Sequence, residues 1–189
     1  AAKDKKEIVR LMAKVSKYAS SPFFGFYVGP DDKNSSMNIV HLSQAGLGMG
    51  DRDFYLEQND RSNILRRDYV KLMETQFRNA GYTEENARKA AETVMRIETE
   101  LAKSHVTKEI RRIPELNYHK FMVSELNSEV APFDWKYYFD QMGAKEIDSL
   151  NVSQIEPIRS SISIIDKESI ENLQQYLCWK VINSAAPYL

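Results

Sequence analysis

Cysteine is nearly absent from this sequence: among 189 residues only Cys178 occurs. A single thiol forms neither an internal disulfide nor a cysteine-rich zinc site. It stands in Tyr176-Leu177-Cys178-Trp179, an apolar patch of a helical pattern, and reads as a buried, inert thiol. Glycine (7) and proline (6) are scarce too. A turn-rich sandwich or barrel needs more of both, so their scarcity favours helices. Neither charge sign is in surplus, since 26 Lys+Arg against 27 Asp+Glu leave −1. A nucleic-acid binder carries a basic excess or stripe. The nearest basic cluster here, Lys108-Glu109-Ile110-Arg111-Arg112, is short and interrupted by an acid. No apolar run reaches the about 18 residues that a membrane span requires. The charged start, Ala1-Ala2-Lys3-Asp4-Lys5-Lys6-Glu7, does not read as a signal peptide. The chain opens without Met, and both ends lie inside periodic patterns, so a longer parent protein is expected.

What is present is an ordinary globular composition, 42% hydrophobic and 28% charged. A chain of this length buries roughly 70% of its unfolded surface, enough for a real core. Ile8, Leu11, Met12, Val15 and Ala19 recur at helical spacing, so residues 4–19 read as an amphipathic helix stopped by Ser20-Ser21-Pro22. Two strand-like runs follow, Phe23–Val28 and Met37–Leu42, around the turn-rich Gly29-Pro30-Asp31-Asp32-Lys33-Asn34. They make a hairpin near residues 23–43, which needs a helical core to lie on. Ser62 is positioned to cap a helix over 63–80, with Leu65, Tyr69, Leu72, Met73, Gln76 and Ala80 on one stripe. Thr83 caps the next, whose apolar face is Ala87, Ala90, Ala91, Val94, Ile97 and Leu101. A short helix is predicted over 121–126, a clear one after Asp134, an extended piece over 147–152, a short helix from Pro157 to about Ile165, and a long one from Lys167. The expected fold is mainly α, a single multi-helix domain over 1–189 with one small β-hairpin, without repeat or linker.

The chemistry-bearing residues do not assemble into a motif. Two imidazoles four residues apart on one helix face, with a carboxylate beside the first, would mark a zinc peptidase. His41, His105 and His119 stand far apart in the sequence and supply no such pair. The alternating glycines of Gly46-Leu47-Gly48-Met49-Gly50 lack the Lys-Ser/Thr of a phosphate-binding loop and the strand–helix setting of a dinucleotide fingerprint, so they read as a turn. No Gly-x-Ser-x-Gly elbow occurs. The acid clusters Asp31-Asp32 and Asp51/Asp53 sit in turn contexts that Asx turns explain. The aromatic residues around Phe23–Tyr27, Trp135–Phe139 and Trp179 read as core packing. From the residues alone no catalytic or metal-binding residue is assigned, and substrate-binding residues are unknown.

Several segments nonetheless resemble one family in a fixed order. Phe26-Tyr27-Val28-Gly29-Pro30-Asp31-Asp32-Lys33-Asn34 and Gly46-Leu47-Gly48-Met49-Gly50-Asp51-Arg52-Asp53-Phe54-Tyr55 are similar to stretches of the neprilysin-like (M13) zinc metallopeptidases. Glu98-Thr99-Glu100-Leu101-Ala102 resembles that family's Glu-x-x-Leu-Ala. Tyr118-His119-Lys120 resembles its Tyr-Asn-Lys, and Phe133-Asp134-Trp135 its aromatic-x-Trp. Leu173-Gln174-Gln175-Tyr176-Leu177-Cys178-Trp179-Lys180 resembles its Leu-Gln-x-Leu-x-x-Trp-Arg helix. The matches are collinear from about residue 20 to 183. Departures are mild: Met49-Gly50 stands for Leu-Pro, His119 for Asn and Phe54 for the first Tyr. The lack of the disulfide cysteines of vertebrate members points to a bacterial, PepO-like member.

The resemblance also implies an absence. The family's His-Glu-x-x-His, its Glu-x-x-x-Asp and its substrate-gripping Asn-Ala-aromatic stretch all lie downstream of the matched region. What it implies for this chain is a segment of the amino-terminal, mostly helical half, which closes over a catalytic half and limits substrates to small peptides. Zinc would belong to the parent endopeptidase, with none bound by this segment. The implied partners are peptide substrates and the catalytic domain, and the implied location is extracytoplasmic, periplasmic or cell-surface in a bacterium, with a cytoplasmic one as the alternative. The competing reading is a stand-alone helical module that binds a peptide or protein without enzymatic activity.

Overall fold

The chain runs α1 (Lys5–Tyr18), β1 (Phe24–Asp31), β2 (Asn34–Gln44), α2 (Asp53–Leu56), α3 (Asp60–Asn79), α4 (Glu84–Ser104), α5 (Lys108–Arg111), β3 (Lys120–Met122), α6 (Leu126–Glu129), α7 (Trp135–Met142), β4 (Ser149–Val152), α8 (Ile155–Lys167) and α9 (Ile170–Ala185). This is a computed structural model that describes residues 2–186; Ala1 and Pro187–Leu189, on which part of the reading of the chain ends rests, lie outside the described residues. Short polar side chains set the helix starts. Asp4, Asn59, Thr83, Asp134 and Ser169 each accept the backbone N–H three residues on, at 2.8, 2.8, 3.3, 3.1 and 3.1 Å. Each bond satisfies one of the amides that a helix start leaves without a partner.

The hairpin is larger than its apolar runs suggest, and it belongs to a four-stranded sheet of order β1-β2-β4-β3. β1 and β2 pair antiparallel from Phe24↔Gln44 to Pro30↔Asn38, with a register shift between Pro30 and Asp31. β2 pairs parallel with β4 through Val40↔Leu150, His41↔Asn151 and Leu42↔Val152. A parallel pair needs a long crossover, and α2 to α7 supply it. The inner half of β2, Ile39–Leu42, is buried, while Asn34–Asn38 project into solvent.

The buried apolar residues of α1, α3, α4, α7, α8, α9 and the sheet form a core cluster. Phe24 of β1 seats on α7, with ring centroids 5.2 Å from Tyr138 and 5.8 Å from Trp135. Trp179 of α9 meets Tyr69 and Phe77 of α3 at 5.8 and 5.9 Å. Ala87, Ala90 and Ala91 are buried on α4, and their small side chains let α3 and α9 approach.

The structure corrects several sequence expectations. α3 begins at Asp60 with Asn59 as its cap, because Asn59 Oδ1 takes the Ser62 amide and Ser62 itself is buried. Its buried stripe is Ser62, Tyr69, Met73 and Phe77, at spacings of seven and four, whereas Leu65 and Leu72 are exposed. The helix predicted over 121–126 is instead strand β3, a 3₁₀ turn over Val123–Glu125 and the start of α6. α8 starts two residues before Pro157, which is tolerated because a first-turn residue has no intrahelical acceptor to lose. The final helix opens at Ile170 rather than Lys167, since α8 ends there and Ser169 caps anew. Cys178 is exposed, not buried: it faces away from the stripe of Leu173, Tyr176, Leu177 and Lys180 that α9 turns inward.

Candidate functional site

The described residues hold an ion pair in the core. Glu98 of α4 is 0% exposed and Lys180 of α9 2%, and Lys180 Nζ lies 2.6 Å from Glu98 Oε1. Two buried charges are tolerable only when every lone pair and proton finds a partner, and here the partners are numerous. Glu98 Oε2 accepts from Tyr55 Oη at 2.6 Å, Tyr69 Oη at 3.0 Å and the Gly48 amide at 3.1 Å. Lys180 Nζ also donates to the Gly46 carbonyl at 2.6 Å and lies 4.7 Å from the centre of the Tyr176 ring. Tyr176 Oη reaches the carbonyls of Gly46, at 2.8 Å, and of Pro22. Trp179 Nε1 donates to Tyr69 Oη at 2.8 Å, and the Met49 amide donates to Tyr55 Oη at 2.9 Å.

This network clamps the Gly46–Met49 loop between α4 and α9. The loop needs glycine for the close approach: a Cβ on Gly48 would run into the Tyr69 hydroxyl and come within 3.2 Å of Glu98 Oε2. Burial first, and then the Glu98 charge, push Tyr55, Tyr69 and Tyr176 far above the ordinary phenol value. All three remain protonated donors at any pH near neutral. The cluster is therefore a fixed clamp whose three phenols are not poised to exchange protons.

The segments that carried the family resemblance converge at this clamp. Gly46, Gly48 and Tyr55 come from one of them, Glu98 from another, and Tyr176, Trp179 and Lys180 from a third. Sequence reasoning did not single out Glu98 or Lys180. The signal was present, for Glu98 lies four residues after Val94 and three before Leu101, on the apolar face of its helix.

The three histidines stand in separate settings. His41 is stacked on Tyr27, with centroids 4.7 Å apart, its Nε2 3.1 Å from the Pro30 carbonyl and its Nδ1 3.3 Å from Asn151 Nδ2. His119 Nδ1 is 2.9 Å from the Val152 carbonyl. His105 is buried, and burial together with the nearby Arg111 and Arg52 lowers it to about 4, partly opposed by a hydrogen bond to the Ala45 backbone. Among the described residues no group of three or more His, Cys, Asp or Glu side chains is placed to hold a metal ion.

The acid pairs act in turns. Asp31 Oδ1 accepts the Lys33 amide at 3.0 Å, and Asp51 Oδ1 accepts the Asp53 amide at 3.1 Å. Asp31 is also buried and takes Lys120 Nζ at 2.7 Å and Tyr118 Oη at 2.8 Å, so it ties the hairpin to β3. Lys120 first, then the Lys33 amide and Tyr118, bring its carboxyl down to about 2. Asn34-Ser35-Ser36 and Asn151-Val152-Ser153 match the Asn-x-Ser glycosylation pattern, which is frequent by chance; Asn34 is exposed at the hairpin tip and Asn151 is 1% exposed in β4.

Comparison with known proteins extends the resemblance to the whole chain. Residues 1–189 match the profile of Peptidase family M13. Endothelin-converting enzyme 1 of Cavia porcellus is 29% identical over 192 residues, which covers 95% of this chain and 24% of that protein. The chain thus spans about a quarter of the length of the curated relatives it matches. Among solved structures, the open-state zinc metalloprotease Zmp1 of Mycobacterium tuberculosis superposes with a TM-score of 0.91 at 24% identity, over 100% of this chain and 29% of that one. PepO from Lactobacillus rhamnosis superposes with a TM-score of 0.69 at 13% identity, over 96% of this chain and 28% of that one.

Proposed function

The chain belongs to Peptidase family M13, and from that premise we propose that it is a non-catalytic segment of the amino-terminal half of a zinc-dependent endopeptidase. In this reading the segment forms part of the wall that encloses a chamber for small peptides. The observation that carries it is the match along all of residues 1–189 to a family whose relatives are about four times as long. The chain's own residues fit the same division of labour. His41 and His119 are engaged in the sheet, and His105 lies in a separate, buried setting. This donor set does not fit a zinc site, so no catalytic step is assigned here; zinc-activated water and its general base belong to the remainder of the parent enzyme. No helix of the described residues is long and apolar enough to cross a membrane. The partners in this reading are peptide substrates and the catalytic domain, and the location is outside the cytoplasm.

Two measurements test the proposal. The parent gene, read beyond Leu189, is expected to encode His-Glu-x-x-His followed by Glu-x-x-x-Asp. The purified 189-residue chain is expected to hold no stoichiometric zinc and to cleave no peptide. A reading frame that closes without those motifs would favour the stand-alone module, and one tight zinc per chain would overturn the assignment of the metal to another part.

A further inference from the structure

We propose that the cavity between the Gly46–Arg52 loop and the start of α5 is a binding site for a small oxyanion, either a carboxylate or an inorganic tetrahedral anion. The inference uses only this chain's cavity and does not rest on the peptidase reading. The cavity measures about 310 Å³, the size of a small-molecule site rather than of a packing defect. Its wall brings cations from three places: Arg52 from the loop, Lys108 and Arg111 from α5, and Lys180 from α9. Asp51 is the one acid in that lining.

Close pairing decides which of these charges are free. Asp51 neutralises Lys108 at 2.5 Å, and Glu98 neutralises Lys180 at 2.6 Å. Arg52 has a single long contact, 3.4 Å, to its half-buried neighbour Asp53. Arg111 forms no ion pair among the described residues. The wall therefore carries a positive surplus that resides on two guanidinium groups, whose planar forks match carboxylate and other oxyanions.

A second observation points the same way. Arg52 Nε and His105 Nε2 are buried with no hydrogen-bond partner among the described residues, and both side chains belong to this cavity wall. Buried polar atoms nearly always have partners in folded proteins, and the orphan Arg52 Nε–H is a donor that an oxyanion in this cavity would satisfy. His105 is 6% exposed and neutral at pH 7; its ring gives its N–H to the Ala45 backbone, so Nε2 offers a lone pair only, and the arginines supply both the donors and the charge. The wall is also firmly placed. Gln44 exchanges hydrogen bonds with Val106 at 2.8 and 3.1 Å, and the Glu98–Lys180 clamp holds the facing loop.

The test is calorimetric titration of the full chain at constant ionic strength with three probes: sodium sulfate, N-acetyl-trialanine with a free carboxylate, and the same peptide as its C-terminal amide. Saturable binding of sulfate or of the free-carboxylate peptide is expected, weakened about 10-fold or more in Arg52→Gln and in Arg111→Gln, the loss of one charge-assisted hydrogen bond. Preference for the carboxylate over the amide identifies an organic acid or peptide terminus as the source, and binding of sulfate alone identifies a free inorganic anion; either result upholds the site. Arg111 is exposed and unpaired, so Arg111→Gln keeps the melting temperature and decides the matter even where Arg52→Gln disturbs the loop. Absence of saturable binding by all three probes, or unchanged affinity in Arg111→Gln at an unchanged melting temperature, overturns the proposal.

Discussion

Glu98 and Lys180 lie 82 positions apart in the sequence and meet side chain to side chain at 2.6 Å, inside the core. The pair joins α4 to α9, and through Gly46 and Gly48 it holds the loop that leaves the hairpin. A buried pair of this kind makes the fold highly sensitive to loss of one member, because the survivor is left charged and uncompensated.

The first prediction follows from that asymmetry. Lys180→Met or Glu98→Gln alone is expected to destabilise the chain by about 3–5 kcal/mol. The double variant is expected to cost clearly less than the sum, since neither buried charge then remains. Urea unfolding of the four proteins measures the coupling. Strict additivity would show that the two groups do not sense each other.

Gly48 and Gly50 separate crowding from backbone strain. Gly48→Ala forces a methyl group against the buried Tyr69 hydroxyl, and about 3 kcal/mol of destabilisation is expected from overpacking. Gly50 has open space around it but a φ of +81°, so Gly50→Ala is expected to cost about 1 kcal/mol through backbone conformation alone. Equal midpoints in urea for the two variants would refute this ordering.

His105 gives a pH dependence of definite sign. Its folded value, about 4, lies below the ordinary 6.5, so the unfolded chain takes up a proton first as the pH falls. Full stability is present above about pH 6.5 and is lost progressively toward pH 4, by about 2 kcal/mol at pH 5. The check is the stability difference between wild type and His105→Asn at pH 7 and pH 5. The advantage of the wild type should shrink on acidification, and a difference that stays constant would exclude the effect. Asp31 acts in the other window. Its depressed value of about 2 adds stability that is present above the unfolded carboxyl range and is lost only as the pH falls toward 2.

The start of α3 tests which side chain caps it. Asn59→Ala removes the acceptor of the Ser62 amide and is expected to cost about 1 kcal/mol. Thermal unfolding reads the change. A neutral Asn59→Ala would return the cap to Ser62, as the local sequence first indicates.

That cap shows how sequence and structure divide the information. Periodicity and capping chemistry are local, so Thr83 and Asp134, the apolar face of α4 and the mainly helical fold were all legible. At α3 two cap-competent residues stood three apart, and packing decided between them. The extended piece over 147–152 was legible and contains β4, Ser149–Val152, whereas β3, at three residues, is too short for an alternating pattern to register. The clamp was half legible. Glu98 and Lys180 fall on apolar faces, but only the packing of α4 on α9 shows that the two misfits answer each other. The cavity was not legible, because Arg52, His105, Arg111 and Lys180 come from separate segments that only the tertiary fold assembles. Cys178 misled because its neighbours are apolar while its own position on α9 turns outward.

The parallel pairing of β2 with β4 has a consequence for how the chain is made. His41 waits for Asn151, 110 residues further along, and a ribosome adding about 5–20 residues per second needs roughly 5–20 seconds to deliver it. During that interval the hairpin has closed on one side, while the other edge of β2 offers unpaired backbone groups to any passing strand. Nascent chains stalled between β2 and β4 should therefore be the aggregation-prone species, and a chaperone acting on this protein would find its task there.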